Sequence, residues 1–173
     1  KVSDKISVIN NLLPKVDKLI IGGGMAFTFA KAAGLEIGAS LCENDKIDLA
    51  KQIMAAAGDK LMLQTDVLVT DKLDLKARTI GAAKIVDASA IPRAWLGIDI
   101  GPKTIETFSK VVRAAKTILW NGPMGVFEIE ASSKGTFAIA QAMADATVQG
   151  ATTVVGGGDS ASAIKKAGLS KKV

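Results

Sequence analysis

The chain has 173 residues, of which 49% are hydrophobic and 23% charged, with a formal net charge of +5. That length suits one domain able to bury a core, and no apolar run is long enough to cross a bilayer. With no histidine and a single cysteine, Cys42, the sequence excludes Ser-His-Asp and Cys-His nucleophile systems, the usual zinc sites and an internal disulfide.

Ile6, Ile9, Leu12 and Leu13 fall at helical spacing and predict a helix over residues 3–13. A short apolar strand at 18–21 ends in Gly22-Gly23-Gly24, and a helix over 25–33 follows, ended by Gly34. The next helix spans 45–57, with Ile47, Ala50, Ile53 and Met54 on one face and Gly58 closing it. Two short strands lie at 61–63 and 67–69. The stretch 70–91 shows no clear period beyond a candidate strand at 83–86. Pro102 suits the start of a helix that runs to about residue 113. A strand at 117–120 enters the loop Asn121-Gly122-Pro123-Met124-Gly125, and a helix covers 134–147. A strand at 152–155 then leads into Gly156-Gly157-Gly158 and a last helix to 167.

Short apolar strands separated by helices are the mark of a parallel sheet covered on both faces. The predicted fold is therefore α/β, a Rossmann-like three-layer sandwich with a mostly parallel sheet, forming one domain over residues 1–173. The positive charge comes from scattered lysines and only three arginines, without a basic run interleaved with aromatics. Neither a nucleic-acid partner nor a membrane is expected. The lone cysteine points to a reducing cytoplasm.

Ligands of open α/β sheets bind beyond the carboxyl ends of the strands. Three predicted strand ends carry glycine-rich turns, after residues 21, 120 and 155, and two of these open directly into helices. Glycine lets a backbone approach a ligand closely, and a helix N-terminus offers free N–H groups to an anion. Together they suggest a phosphate-bearing ligand; each turn taken singly is equally a tight strand-to-helix connection. No G-x-x-x-x-G-K-[ST] occurs. Gly156-x-Gly158-x-x-Ala161 matches a dinucleotide fingerprint by letter, which leaves an NAD-dependent oxidoreductase as the alternative. Asp159 would repel a pyrophosphate there unless Mg²⁺ lay between them; its bland reading is a helix cap. Glu128 is either a ribose ligand or a surface acid.

Five segments read together carry more. They are Lys1-Val-Ser-Asp-Lys5, the run from Ile21 to Phe29, Trp95-Leu-Gly-Ile-Asp-Ile-Gly-Pro102, Trp120-Asn-Gly-Pro-Met-Gly-Val-Phe-Glu128 and Gly156-Gly-Gly-Asp-Ser160. In order and spacing they resemble the successive motifs of the phosphoglycerate kinase family, over essentially the whole chain.

The resemblance implies the nucleotide-binding, C-terminal domain of a longer two-domain kinase. That family transfers a phosphoryl group between 1,3-bisphosphoglycerate and ADP in glycolysis, with Mg²⁺ and ADP or ATP. By the same resemblance, Lys1 meets the transferring phosphoryl group and Lys5 binds nucleotide phosphate. Gly23 and Gly24 line the adenine pocket opposite Gly97 and Ile98. Asn121 and Gly122 lie at the phosphates, and Phe127 and Glu128 at the adenosine. Gly157 and Gly158 belong to the phosphate loop, Asp159 holds Mg²⁺, and Ser160, where the family usually has Thr, donates to phosphate. The family's Gly-Gly-Ala before the first lysine and a later glycine-rich helix start do not occur in residues 1–173. The phosphoglycerate site is expected in an N-terminal domain outside them. A monomer is expected, with the isolated domain inactive or a noncatalytic nucleotide-binding module.

Overall fold

The computed structural model describes residues 2–173. The chain runs α1 (Val2–Leu12), β1 (Leu19–Ile21), α2 (Gly24–Ala32), α3 (Ile47–Ala57), β2 (Leu61–Leu63) and β3 (Asp66–Thr70). It continues through β4 (Leu73–Asp74), β5 (Thr79–Ile80), β6 (Ala83–Asp87), β7 (Leu96–Ile100) and α4 (Pro102–Ala114). β8 (Thr117–Asn121), α5 (Lys134–Val148), β9 (Thr152–Gly156) and α6 (Gly158–Lys166) complete it.

Two parallel ladders, β1 with β2 and β8 with β9, form the framework of the site. Alternation along the strands decides which face each side chain meets. Leu19, Ile21, Leu61 and Leu63 pack with Ile9, Phe29 and Ile53 of α1, α2 and α3. Ile20 and Met62, one residue out of phase, pack instead with Phe108, Ile139 and Met143 of α4 and α5. Helices thus cover both faces of this pair, which is the three-layer arrangement expected of an α/β fold. β8 and β9 join the second layer through Ile118, Trp120 and Val155.

The central segment departs from the sequence-based expectation. β3 pairs antiparallel with both β6 and β7, and β4 with β5 closes a small hairpin. The stretch 70–91 is thus a hairpin followed by strand β6, and 96–100, to which the sequence reading assigned no element, is strand β7. No helix separates β3 from β6, so the chain returns directly and the pairing is antiparallel. Two helix boundaries also shift: Pro14 sits in a 3₁₀ turn, Leu13–Lys15, and Asn44–Lys46 forms another before α3. The first turn satisfies a carbonyl left over at the end of α1, with Val16 N–H donating to the Leu12 carbonyl at 3.1 Å, and the second leads into α3 with Lys46 N–H donating to the Glu43 carbonyl at 3.0 Å. No helix among the described residues is long and apolar enough to cross a membrane.

Candidate functional site

The three glycine-rich turns meet. Gly23 has φ +71° and lies so close to the carbonyl of Pro123 that a Cβ there would sit 2.6 Å from that oxygen. The β1 turn and the β8 loop therefore touch backbone to backbone, which only glycine permits. On its other side the β8 loop meets α6: Gly122 N–H donates to Ser160 Oγ at 2.6 Å. A Cβ on Gly157 would lie 2.9 Å from Asn121 Oδ1. Gly122 itself has φ +107°, and the Trp120 indole N–H donates to its carbonyl at 2.7 Å, fixing the turn from below.

Helices α2 and α6 begin at this meeting point. Their N-caps are Gly23 and Gly157, and neither receives a side-chain cap hydrogen bond. Ala26 N–H donates to the Gly23 carbonyl at 3.1 Å, and the earlier N–H groups of both helices are left for a ligand or for water. Asp159 is exposed in the first turn of α6 and does not cap it, so the capping reading of this residue is set aside. Among the described residues it makes no ion pair or side-chain hydrogen bond, and no cluster of three acids, histidines or cysteines could hold a metal. A single free carboxylate does not form a metal cage. It does fit Mg²⁺, which takes one or two carboxylates and completes its shell with substrate phosphates and water.

A fourth element joins the cleft. Val126 N–H donates to the carbonyl of Ile98 at 2.8 Å, which stitches the β8 loop to β7. Ile98 is the extra residue of a β-bulge: Val69 pairs with Gly97 and Leu68 with Asp99, leaving Ile98 between them. Its carbonyl is thereby available to the loop. Gly97 N–H donates to Ser40 Oγ at 2.9 Å, and the ring of buried Phe27 occupies the space where a Cβ on Gly97 would go.

The structure thus brings Gly23, Gly97, Ile98, Asn121, Gly122, Gly157 and Ser160 into one connected set. Gly24 opens α2 and Gly158 opens α6. Lys5 is half-buried on α1, whose start is held by Glu43, accepting Val2 N–H at 2.5 Å and the Ser3 hydroxyl at 2.8 Å. Lys1 lies outside the described residues. Two placements refine the sequence reading. Phe127 is buried, with the Lys166 ammonium 5.8 Å from its ring centroid, while neighbouring Glu128 is exposed. The Ser160 hydroxyl is also buried and already accepts the Gly122 N–H, so it braces the loop. One surface hollow lies beside Glu106, Lys110 and Arg113, and another beside Thr153, Val155, Ala161 and Ile164. The converging loops weigh more, because chemistry at a strand end is carried by backbone groups that enclose little volume.

Sequence reasoning missed Asp66 and Asp99, two buried carboxylates. Asp66 accepts N–H bonds from Lys103 at 3.0 Å and Thr104 at 2.8 Å, and so caps α4 from β3. Asp99 accepts from Ile100 and Gly135, each at 2.9 Å. Burial pushes its carboxyl up to about 7 against the pull of those two bonds. The only sequence signal was for Asp99, an acid between two isoleucines.

Uncapped glycine turns thus converge at the carboxyl ends of parallel strands in an α/β domain, the place where such sheets bind ligands. The sequence model described as phosphoglycerate kinase matches residues 1–173, and the chain belongs to that family. It is 54% identical over 176 residues to a phosphoglycerate kinase of Chloroflexus aurantiacus, covering 100% of this chain and 43% of that protein. It is 53% identical over 176 residues to a cytosolic phosphoglycerate kinase of Triticum aestivum, again covering 100% and 43%. The phosphoglycerate kinase structure from Coxiella burnetii superposes with a TM-score of 0.93 at 46% identity, over 100% of this chain and 44% of that one. That from Pyrococcus horikoshii gives 0.78 at 28% identity, over 96% and 42%. The chain thus spans less than half the length of the relatives it matches.

Proposed function

We propose that this domain binds ADP and ATP with Mg²⁺ and forms the nucleotide half of a cytoplasmic, monomeric phosphoglycerate kinase. The observation that carries the reading is the contact of three glycine-rich turns around the uncapped starts of α2 and α6.

The chemistry asks for no general base in this chain. The attacking oxygen belongs to a phosphate already ionised at neutral pH, and the leaving group is a carboxylate. What remains is alignment and neutralisation of the charge on the passing phosphoryl group. Free N–H groups at α2 and α6 orient the polyphosphate. Lys1 and Lys5 supply positive charge, Lys1 to the moving group and Lys5 to the nucleotide. Gly23, Gly24, Gly97 and Ile98 bound the adenine, and Glu128 accepts from the ribose. Asp159 is the ligand for Mg²⁺, which when bound neutralises phosphate charge. The phosphoglycerate site belongs to the part of the relatives that this chain does not span, and closure of the two parts excludes water.

Calorimetry with ADP, ATP and NAD tests the reading. ADP and ATP are expected to bind better than NAD, because the turns offer phosphate and adenosine contacts and no nicotinamide site. Tighter binding of NAD would instead support the oxidoreductase alternative.

A further inference from the structure

Asp99 is 4% exposed and sits on β7 directly after the bulge at Ile98. Its two carboxylate oxygens reach different elements. Oδ1 accepts Ile100 N–H on its own strand, and Oδ2 accepts Gly135 N–H in the first turn of α5. The β8 loop passes between these elements. A Cβ on Gly125 would lie 2.7 Å from both the Asp99 Cα and its Oδ1. The head of α5 holds the same loop by two further bonds. Met124 N–H donates to Thr136 Oγ1 at 3.1 Å, and the hydroxyl of Ser132, just ahead of the helix, donates to the Val126 carbonyl at 2.6 Å.

An apolar side chain would fill this position at lower cost, since a buried carboxylate loses its hydration. An ionised carboxylate is, however, an acceptor on both oxygens. It matches two N–H donors on two separate elements. The candidate adenosine residues are the ones it spaces: Ile98 and Gly97 lie one and two positions before it, and Phe127 and Glu128 follow in the loop it braces.

We propose that Asp99 is a positioning residue for the adenosine side of the nucleotide site, its carboxylate fixing β7 to the head of α5 and so setting the separation between Gly97–Ile98 and the loop bearing Phe127 and Glu128. The proposal rests on the nucleotide-binding reading for its consequence, though not for its geometry. Asp99 touches no ligand; it acts through the backbone of β7 and α5.

The proposal carries a pH dependence. The titratable groups on the elements around Asp99 are Asp66 on β3, Glu128 and Glu130 beyond the loop, and Lys134 at the start of α5. Among the described residues none bonds to it, and burial rather than a neighbouring charge raises its carboxyl. Protonation turns one acceptor oxygen into a donor, so the clamp slackens as pH falls through about 7. Adenosine affinity falls with it.

Two measurements on the 173-residue chain and on Asp99→Asn test this. The first needs no ligand: the hydrogen-exchange protection factor of the Val126 amide, whose bond to Ile98 does not involve the Asp99 side chain. In Asp99→Asn it should drop by about tenfold or more while the amide of Ile53 in α3 keeps its value. In the wild type it should fall between about pH 8 and pH 6. The second is NMR titration with adenosine and, separately, tripolyphosphate, neither sharing the other's contacts. Asp99→Asn should weaken adenosine about tenfold, leave tripolyphosphate within about twofold, and remove the pH dependence of adenosine binding. Unchanged Val126 protection, or equal loss of both ligands, overturns the proposal. If the wild type binds neither ligand, the nucleotide reading fails, and Val126 exchange still decides whether Asp99 holds the loop. If Asp99→Asn does not fold, the wild-type pH series decides alone, and flat Val126 protection across it overturns the proposal.

Discussion

Burial of Asp99 should make folding respond to pH with a sign opposite to that of a salt-bridged carboxylate. Its carboxyl is raised from the ordinary value of 3.8 to about 7. Between those values the folded chain keeps a proton that the unfolded chain has released, so rising pH favours unfolding. At roughly 1.4 kcal/mol per pKa unit, about 4 kcal/mol of stability is present below about pH 4 and lost by about pH 7. Against a typical domain stability of about 5–15 kcal/mol, that is a large share. Asp99→Asn removes the titration. Its amide keeps one acceptor but turns an NH₂ group toward the other N–H, a penalty of about 1–3 kcal/mol that does not vary with pH. Urea unfolding of both proteins at matched pH isolates the effect, because all other titrating groups cancel in the difference. Wild-type stability minus that of Asp99→Asn should fall by about 4 kcal/mol from about pH 4 to pH 8. A difference flat to within about 1 kcal/mol, or one that rises with pH, would refute the argument. Joined to the loop-bracing role, this predicts that lowering the pH strengthens the fold while weakening adenosine binding.

Asp159→Asn should leave the fold intact and weaken Mg-nucleotide much more than metal-free nucleotide in calorimetry; equal losses would make Asp159 structural. The isolated chain should not approach the ATP synthesis rate of a complete enzyme in a coupled assay, because holding both substrates in line supplies roughly 7–11 kcal/mol of the barrier. In a full-length enzyme carrying this sequence, Lys1→Ala should lower kcat far more than it raises KM for ADP, and an unchanged kcat would reduce Lys1 to a surface lysine. Phe108→Ala deletes a ring that is 1% exposed between Trp120 and Met143, and should cost about 3–5 kcal/mol in chemical denaturation. A loss under about 1 kcal/mol would mean that the α4 layer collapses around the gap.

Local rules made much of this protein legible from its sequence. Helical spacing placed six helices within a few residues, since amphipathic periodicity and glycine stops act over one or two turns. The glycine turns after β1, β8 and β9 were visible because a turn's chemistry lies within four residues. That they form one set was an inference from the rule for α/β sheets, and the contacts of Gly23 with Pro123 and of Gly122 with Ser160 supply the geometry. The antiparallel placement of β3, β6 and β7 was not legible. Val67, Val69 and Val86 read as apolar whichever direction their neighbours run, and the partner is chosen by connections tens of residues away.

The two buried aspartates show the same division. Beyond the apolar neighbours of Asp99, nothing adjacent in sequence distinguishes Asp66 or Asp99 from a surface acid. Asp66 becomes a cap only because the start of α4, 37 and 38 residues further on, is laid against it. Asp99 becomes a clamp only because α5, 36 residues away, presents Gly135 to it. By itself the sequence determined the helices, most of the strands and the family, because each of those is written in short segments. Tertiary structure alone decided which carboxylates lose their water and which N–H groups meet them, because desolvation and hydrogen bonding depend on what packs nearby, whatever its distance along the chain.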